Sequence, residues 1–247
     1  MKAILLVGGL GTRLQAVINN VPKAMAPICG VPFLQIMLNY LVSKGVSEIV
    51  LAVSYLRNSI INHFGDSFKG IKISYCIEKT PLGTGGAIMQ AINLHKSFRG
   101  ENIIVMNGDT FASFNPLNFM QFHNRHKGDA TILVRNIESN TRYGEVIFDE
   151  TTNQIQNFQE KPPIAKQSYI STGFYVINSS FFEGWSGGEK FSIEQDVFAN
   201  FKTLNKNLYA YKMNDNGGES FDSLFIDIGI PADYQKAQTL PQITKWI

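Results

Sequence analysis

The feature that most constrains the fold is the opening of the chain, where an apolar run leads directly into a glycine-rich loop. Residues 3–7 read Ala-Ile-Leu-Leu-Val, three glycines fall within 8–11, and Arg13 follows them. An apolar run without polar interruption is typical of a strand buried on both faces of a parallel sheet. Glycines after such a strand let backbone N–H groups approach a phosphate, and an arginine suits phosphate oxygens. The opening therefore predicts a nucleotide site, although a simple tight turn between strand and helix stays an alternative.

Two common nucleotide loops do not match this stretch. The P-loop pattern requires a lysine at a fixed distance after the glycines, and none stands there. The dinucleotide pattern requires a further glycine where the chain has Leu14 or Ala16, and an acidic residue about 20 positions later is also missing. A nicotinamide-dependent dehydrogenase is therefore disfavoured.

Charge and composition exclude other classes. The 247 residues include 22 basic and 20 acidic side chains, which gives a formal net charge of +2. Such a balance provides no electrostatic footprint for nucleic acid or an anionic membrane. No apolar run approaches the roughly 18 residues needed to span a bilayer, and two cysteines are too few for a disulfide framework. We expect a cytoplasmic protein without a signal peptide, folded as a single domain over residues 1–247.

The first half of the chain alternates between strand and helix patterns. Buried strands are predicted at 49–53, 71–77 and 103–106, and helical spacing of apolar residues at 32–44. Strand-helix-strand alternation predicts an α/β fold with a doubly wound, mostly parallel sheet and right-handed crossovers. In such a sheet the loops at the carboxyl ends of neighbouring strands meet in one crevice.

Several chemistry-bearing residues are predicted to lie at that crevice. A second glycine-rich turn at 81–86 ends the third strand and opens a helix, whose N-terminus favours an anion. Lys23 stands on a proline-bracketed segment near the mouth of the first strand. Asp109, at the end of the fourth strand, has the hard oxygens that suit Mg²⁺, although a turn-stabilising role is the alternative. Asp227 lies in an apolar run and needs a cation or donors nearby, which a metal shared with Asp109 would provide.

The second half of the chain favours strands, predicted at 130–134, 144–148, 154–159 and 169–178. Their alternation suggests a partly antiparallel layer added to the core, where a second substrate could be recognised. His123 and His126 lie on a preceding helix, and solvated side chains are favoured over a metal site. Lys161 either meets a substrate phosphate or protects a sheet edge. Glu194 is explained by the dipole of a short helix that Ser192 caps.

These motifs together resemble the sugar nucleotidyltransferases, also called nucleotide-diphosphate-sugar pyrophosphorylases. The matching stretches are Gly-Gly-Leu-Gly-Thr-Arg-Leu at 8–14, Pro-Lys at 22–23, Pro-Leu-Gly-Thr-Gly-Gly at 81–86, Asn-Gly-Asp at 107–109, Tyr-Gly at 143–144, Glu-Lys-Pro at 160–162 and Asp-Ile-Gly at 227–229. They follow the family order and span nearly the whole chain. The resemblance implies a Rossmann-like fold, with a nucleotide-binding half at 1–112 and a sugar-phosphate-binding half at 113–247.

The resemblance also implies a reaction and a site. A sugar 1-phosphate would attack the α-phosphorus of a nucleoside triphosphate, and pyrophosphate would leave. Arg13 and Lys23 would hold the triphosphate, Asp109 and Asp227 would bind Mg²⁺, and Lys161 would hold the sugar phosphate. The remaining nucleotide-binding residues would be Leu6, Gly8, Gly9, Gly11, Thr12, Glu78, Pro81, Gly83, Thr84 and Gly108. The sugar pocket would be formed by Tyr143, Gly144, Glu160, Ser171, Gly173 and Glu194.

One residue and three short stretches indicate which nucleotide base and which sugar the protein would bind. Glu78 precedes the second glycine turn, and an ionised carboxylate offers two acceptors for the adjacent N–H groups of guanine, so GTP is favoured. A solvated glutamate is the alternative. Stretches 22–27, 191–196 and 225–234 look most like the heptose 1-phosphate guanylyltransferases, which make precursors for surface polysaccharides.

Departures from the family pattern keep other substrates open. Gln15 and its neighbours replace a second arginine, and Ser171 stands where relatives acting on hexoses often have Asn. Mannose or glucose 1-phosphate, UTP or CTP, and a non-catalytic binding paralogue remain alternatives. The protein is expected to be a monomer or a small homo-oligomer.

Overall fold

The computed structural model describes residues 1–9, 11, 13–14, 17–18, 21–185, 187–213 and 224–247. The strands are β1 Lys2–Leu6, β2 Pro27–Ile28, β3 Val31–Pro32, β4 Glu48–Val53, β5 Ser67–Phe68, β6 Ile71–Ile77, β7 Asn102–Asn107, β8 Thr110–Ala112, β9 Ala130–Ile137, β10 Glu145–Phe148, β11 Ile155–Gln159, β12 Ser168–Asn178, β13 Leu208–Lys212 and β14 Phe225–Asp227. The helices are α1 Phe33–Ser43, α2 Arg57–Phe64, α3 Gly83–Leu94, α4 Pro116–His126, α5 Pro231–Ala237 and α6 Pro241–Thr244.

A large sheet dominates the described part of the chain. Its strand order is β11-β10-β12-β7-β1-β4-β6-β5, and β9 pairs with both β12 and β13. Strands β7, β1, β4 and β6 are parallel, as the alternation of strand and helix patterns predicted. The predicted α/β class with a mainly parallel sheet is confirmed.

Strands β9 to β13 of the second half are partly antiparallel, as predicted, and join the same sheet, whereas β14 pairs with β8 in a small two-stranded sheet. Strand β12 runs antiparallel to β7, with Phe174 opposite Met106, and antiparallel to β9 and β10. Strands β10 and β11 are partly exposed, at Ile147 and at Gln156, Asn157 and Gln159, but their burial does not alternate strictly as the sequence pattern predicted. The first five residues of β9 are buried, and β12 is buried except at Tyr169 and Asn178. Strands β9 to β13 therefore extend the parallel part of the sheet directly.

Helices cover both faces of the sheet. Apolar residues of α1, α2, α4, α5 and α6 pack together on one face, with Ala3 and Leu5 of β1. On the other face, Ile4 packs with residues of α3 and with Phe181, Phe191 and Phe198. Alternate residues of one buried strand thus enter two cores. Among the helices that the structure describes, none is both long and apolar enough to cross a membrane.

The prediction of solvated histidines on α4 is wrong for His123. Its side chain is 2% exposed, and its Nδ1 lies 2.9 Å from the Thr131 hydroxyl on β9. Burial lowers the pKa of His123 to about 4. His126 is half-buried and stacks on the Phe122 ring at 4.0 Å between centroids. Both histidines pack in or against the core because α4 lies with this face on the sheet.

The strand order reverses direction at β1. After β1 the chain builds β4 and β6 on one side and then crosses to place β7 on the other side. Leu6 at the end of β1 pairs with Asn107 at the end of β7. Ligands of open α/β sheets bind in the crevice that such a reversal opens at the carboxyl ends of the strands. The fold therefore predicts the site at Leu6 and Asn107.

Candidate active site

Two cavities meet at this point of the sheet. The larger, of about 430 Å³, lies between the end of β1 and the start of α3. The smaller, of about 170 Å³, lies between β7, β12 and β14. Asn107 and Asp109 line both cavities. A ligand group from each cavity can therefore reach one place, next to Asp109.

A short antiparallel pairing brings the two predicted aspartates together. In the two-stranded sheet of β8 and β14, Asp227 pairs with Thr110, the residue after Asp109. The Ile228 N–H donates to the Asp109 carbonyl at 3.0 Å, which continues the pairing. Both carboxylates consequently face the smaller cavity, although they are far apart in the chain.

Lys23 lies between the two carboxylates. Its Nζ contacts Asp109 Oδ2 and lies 3.5 Å from Asp227 Oδ1. A Cβ at Gly11, where φ is +61°, would lie 2.9 Å from Lys23 Cβ, and one at Gly229 would lie 2.8 Å from Nζ. The lysine thus reaches the carboxylates through space that these two glycines leave open. Gly11 leaves room for the Lys23 side chain and does not itself line either cavity.

Asp227 is partly buried and lies next to cations and a hydrogen-bond donor, as its apolar sequence context predicted. Burial and the neighbouring Asp109 raise its pKa, whereas Lys23, the Gly229 N–H and Arg142 lower it. The Gly229 N–H donates to Asp227 Oδ1 at 2.7 Å. The expected cation and donors are therefore present.

Arg142 is a site residue that the sequence reasoning did not single out. Its guanidinium lies 3.4 Å from Asp227 Oδ2 and donates to Asp233 Oδ2 at 2.8 Å. It also lines the smaller cavity, 5.1 Å from the centre of the Tyr143 ring. Its place directly before the Tyr-Gly motif was the available signal. Asn107, which begins the Asn-Gly-Asp motif, could have been found in the same way.

The larger cavity contains a buried carboxylate. Glu78 is 8% exposed, and its Oε2 accepts a hydrogen bond from the Leu82 N–H at 3.0 Å. Burial raises the pKa of Glu78, against the opposing effect of that hydrogen bond. A Cβ at Gly8 would lie 2.8 Å from Glu78 Oε1, so the close approach depends on glycine there. The alternative of a solvated glutamate is wrong.

Other predicted nucleotide-binding residues divide into two groups. Those that line the larger cavity are Leu6, Gly8, Gly9, Pro81, Gly83 and Thr84. Gly108 lies outside the lining: its N–H donates to the Leu6 carbonyl at 2.9 Å, and a Cβ there would lie 2.3 Å from Val7 Cγ1. Its absent side chain lets β1 and β7 come together. Thr12 falls outside the described residues.

The glycines of the second turn serve packing. A Cβ at Gly83, Gly85 or Gly86 would lie 2.1 to 2.5 Å from atoms of Phe191 or Glu189. The N–H groups of Gly85 and Gly86 donate to the Phe191 carbonyl at 3.0 and 3.4 Å. These two amides are therefore not available to an anion, contrary to the prediction for this helix N-terminus.

The predicted sugar-pocket residues all line the smaller cavity: Tyr143, Gly144, Glu160, Ser171, Gly173 and Glu194. The pairing of β12 with β9 is interrupted between Ser171 and Tyr175. Gly173, within the interruption, has φ +78°, and a Cβ there would lie 2.2 Å from Asn107 Nδ2. This irregularity turns the segment towards the cavity.

Several carboxylates are among the side chains that line the smaller cavity. Burial and the nearby charge of Glu194 raise the pKa of Glu160. Glu194 accepts hydrogen bonds from the hydroxyls of Tyr175 at 2.6 Å and Thr84 at 2.8 Å. Ser192 caps the short helix of residues 193–197, as predicted, by accepting from the Gln195 N–H at 3.2 Å. Acceptors of this kind suit a ligand with several hydroxyl groups.

Two predicted cations take different positions. Arg13 is exposed and lines the smaller cavity. Lys161 does not line it: the side chain is 58% exposed, with Nζ 3.8 Å from Oε1 of the cavity-lining Glu160. Its backbone is strained, with φ +50°.

The aspartate pair fits a divalent cation that also has phosphate ligands. Within the described ranges, no three His, Cys, Asp or Glu side chains are grouped to hold a metal by themselves. Asp109 and Asp227 nevertheless offer hard oxygens at one cavity, close enough for Asp109 to raise the pKa of Asp227. Mg²⁺ in phosphate sites is commonly bound by one or two carboxylates and completed by phosphate and water. The donor set therefore fits Mg²⁺ bound with a polyphosphate.

Comparisons with known proteins agree with this geometry. Residues 2–241 match the family described as Nucleotidyl transferase. A D-glycero-alpha-D-manno-heptose 1-phosphate guanylyltransferase from Aneurinibacillus thermoaerophilus is 39% identical, over 96% of this chain and 97% of that protein. An enzyme of the same name from Campylobacter jejuni is 39% identical, over 95% and 97%.

A solved structure is similar over nearly the full length. The crystal structure of HddC from Yersinia pseudotuberculosis complexed with GMP-PN superposes with a TM-score of 0.79 at 32% identity, covering 96% of this chain and 97% of that one.

Proposed function

The chain belongs to the nucleotidyl transferase family, and from this we propose that it transfers GMP from GTP to D-glycero-α-D-manno-heptose 1-phosphate. The products are pyrophosphate and a GDP-heptose. The proposal is supported above all by the two cavities that meet at Asp109 and Asn107, one with a buried acceptor and one with several carboxylates. The names of the relatives support guanine and heptose as base and sugar.

The reaction needs little proton chemistry. A phosphate oxygen of the sugar 1-phosphate, already ionised at neutral pH, attacks the α-phosphorus of GTP in line. The bond to the bridging oxygen of the β-phosphate breaks, and pyrophosphate leaves with that oxygen and its negative charge. Positioning and charge stabilisation supply the catalysis. In this scheme Arg13, Lys23 and the amides of the first glycine loop bind the triphosphate and the leaving pyrophosphate.

Asp109 and Asp227 would hold Mg²⁺ in this scheme. When bound, the ion neutralises charge on the reacting phosphates. Lys23 contacts both carboxylates and offsets one of their two negative charges, and its ammonium would move to phosphate oxygens once these are present. Arg142 holds Asp227 from the other side.

Glu78 would select the base, and the smaller cavity the sugar. An ionised carboxylate accepts the N1–H and the exocyclic amine of guanine side by side, whereas uracil offers one N–H. Glu160, Glu194 and Ser171 would accept sugar hydroxyls, with the Gly144 N–H as a donor. Lys161 would close over the sugar phosphate from its exposed position.

The decisive experiment measures pyrophosphate release over a matrix of nucleoside triphosphates and sugar 1-phosphates. We expect the highest kcat/KM for GTP with the heptose 1-phosphate, followed by mannose 1-phosphate. Preference for a hexose or for UTP would replace the substrate assignment but keep the reaction. No pyrophosphate release with any pair would contradict the reaction itself.

The aspartate pair is tested by substitution. Asp109→Asn and Asp227→Asn should each lower kcat by roughly a hundredfold or more, because each change removes a charged ligand of the metal. The proteins should remain folded by circular dichroism. The matched control is Asp66→Asn, which changes an exposed aspartate away from both cavities and should leave kcat unchanged. Near-normal turnover of both site variants would contradict the metal assignment.

A further inference from the structure

Glu194 lines the smaller cavity and is hydrogen-bonded to Thr84, a residue that lines the larger one. Its side chain lines the smaller cavity, where Glu160 also lies. Its Oε2 accepts from the hydroxyls of Thr84 at 2.8 Å and Ser192 at 3.1 Å, and its Oε1 accepts from the Tyr175 hydroxyl at 2.6 Å. Thr84 is the second residue of α3 and lines the larger cavity. One carboxylate therefore joins a residue of the nucleotide cavity to the sugar cavity.

The hydroxyl of Thr84 has no proton left for a nucleotide. It accepts a hydrogen bond from the Ile193 N–H at 2.9 Å, so its own proton is directed to Glu194. A hydroxyl carries one donor and two acceptor sites. What Thr84 offers to the larger cavity is thus its methyl group and backbone. A role for its hydroxyl in holding nucleotide phosphates is disfavoured.

Tyr175 holds the Glu194 carboxylate through its other oxygen, Oε1. The side chain is fully buried, and burial together with the charge of Glu194 raises its pKa well above the usual value. It remains a hydrogen-bond donor throughout the working pH range. An ionised carboxylate has about four acceptor sites, and the three hydroxyls use three of them. One acceptor site of Glu194 is left, and the three hydrogen bonds from these hydroxyls determine the orientation of its carboxylate.

We propose that Thr84 and Tyr175 are positioning residues for Glu194 and thereby determine the affinity for the sugar 1-phosphate, although Thr84 lies in the nucleotide cavity. This inference rests on the proposed function, since it takes the smaller cavity as the sugar site. Glu194 accepts a sugar hydroxyl with its remaining site. Deleting either supporting hydroxyl lets the carboxylate rotate and weakens that contact.

The geometry separates this role from the one that the sequence motif implies. If Thr84 binds the nucleotide, its loss raises the KM for GTP. If it positions Glu194, its loss raises the KM for the sugar 1-phosphate and leaves the KM for GTP nearly unchanged. The two roles therefore predict opposite patterns from one substitution.

The test uses Thr84→Val, which keeps the branched shape and removes the hydroxyl, and Thr84→Ser, which keeps the hydroxyl. We expect Thr84→Val to raise the KM for the sugar 1-phosphate about tenfold, as for a lost hydrogen bond to a charged group. The KM for GTP and kcat should stay within about twofold. Thr84→Ser should retain nearly the original sugar KM. Tyr175→Phe, a deletion on the other oxygen, should reproduce the Thr84→Val pattern.

A double-mutant cycle with Glu194→Gln identifies the path of the effect. If Thr84 acts through Glu194, Thr84→Val adds at most about twofold to the sugar KM of Glu194→Gln. Full additivity, or a raised KM for GTP in Thr84→Val, would overturn the inference.

Calorimetric titration of sugar 1-phosphate onto the original protein distinguishes failure of the positioning role from failure of the proposed function. Binding and turnover of the original protein with an unchanged sugar KM in Thr84→Val and Tyr175→Phe overturns only the positioning role. Absence of both binding and turnover overturns the proposed function and the positioning role together.

Discussion

Glu78 illustrates how the surroundings of one residue set its chemistry. The carboxylate is buried beside the glycine loop, and burial raises its pKa. Only the ionised form presents two acceptor oxygens to guanine; protonation converts one of them into a donor. Under the proposed role of Glu78, base recognition consequently depends on pH, and the raised pKa moves that dependence towards neutrality.

At the residue scale we predict a pH-dependent preference for GTP. Affinity for GTP should be complete above the raised pKa of Glu78 and be lost as the pH falls through it. The loss therefore begins at a higher pH than for an ordinary glutamate, whose pKa is about 4.3. Glu78→Gln should raise the KM for GTP by roughly tenfold at neutral pH, since an amide offers one acceptor.

The variant also provides the control for this prediction. The KM of Glu78→Gln for GTP should no longer change over the acidic range, because the titrating group is gone. An unaltered GTP-to-UTP preference in Glu78→Gln would show that another group reads the base.

Single residues were predictable from the sequence where backbone position alone decides their place. Lys23, Asp109 and Asp227 follow from strand ends and prolines, and the structure brings them into contact. The hydroxyl of Thr84 and the guanidinium of Arg142 could not be assigned, because their partners come from distant segments. Motif spacing gives the position of a residue but does not give the direction of its side chain.

The start of α3 shows how one element holds another in place. Phe191 donates its N–H to the Leu82 carbonyl at 3.0 Å and accepts from the two glycine amides of the first turn. A Cβ at Gly86 would lie 2.5 Å from the Glu189 carbonyl oxygen, a backbone atom that cannot rotate away. The segment before Glu194 is therefore fixed to the helix that borders the larger cavity.

At the scale of elements we predict that Gly86→Ala destabilises the protein. Alanine in a helix interior is favoured over glycine by up to about 1 kcal/mol, so an unobstructed site would gain stability. Here the clash should outweigh that gain, for a net loss of about 1–2 kcal/mol in chemical denaturation. Gly9→Ala is the matched control, because a Cβ there has no neighbour within 4 Å. Equal or higher stability of Gly86→Ala would contradict the packing argument.

Element boundaries were predictable where hydrophobic runs define them, as for β6 at Ile71–Ile77. The start of α3 at Gly83 was predicted too late, at Ala87, because three glycines near a helix start look like a loop until their packing partner is known. The short pairing of β8 with β14 had no sequence signal, since each strand has three residues. Pairings and boundaries that depend on a remote partner were the ones missed.

At the scale of the whole molecule, the buried His123 couples stability to pH. Its pKa is about 4 in the folded protein, against about 6.5 in an unfolded chain. Between these values the unfolded state binds more protons, so the free energy of unfolding falls as the pH drops. The expected loss from this residue is up to about 3 kcal/mol between pH 7 and pH 4.

Denaturant unfolding at several pH values measures this loss. His123→Asn should be less stable at pH 7, because it leaves a small cavity beside Thr131, but its stability should decline less on acidification. His63→Asn, at an exposed position, should keep the original decline. An identical decline for His123→Asn would mean that other groups cause the acid sensitivity.

The joining of Asp109 to Asp227 has a consequence for protein synthesis. During translation Asp109 is synthesised directly after strand β7, but Asp227 is synthesised only after strands β9 to β13. An mRNA truncated between the codons for Asp109 and Asp227 yields a protein that retains the glycine loop and lacks Asp227. Such a fragment lacks half of the proposed metal site, and we therefore predict that it has no transferase activity.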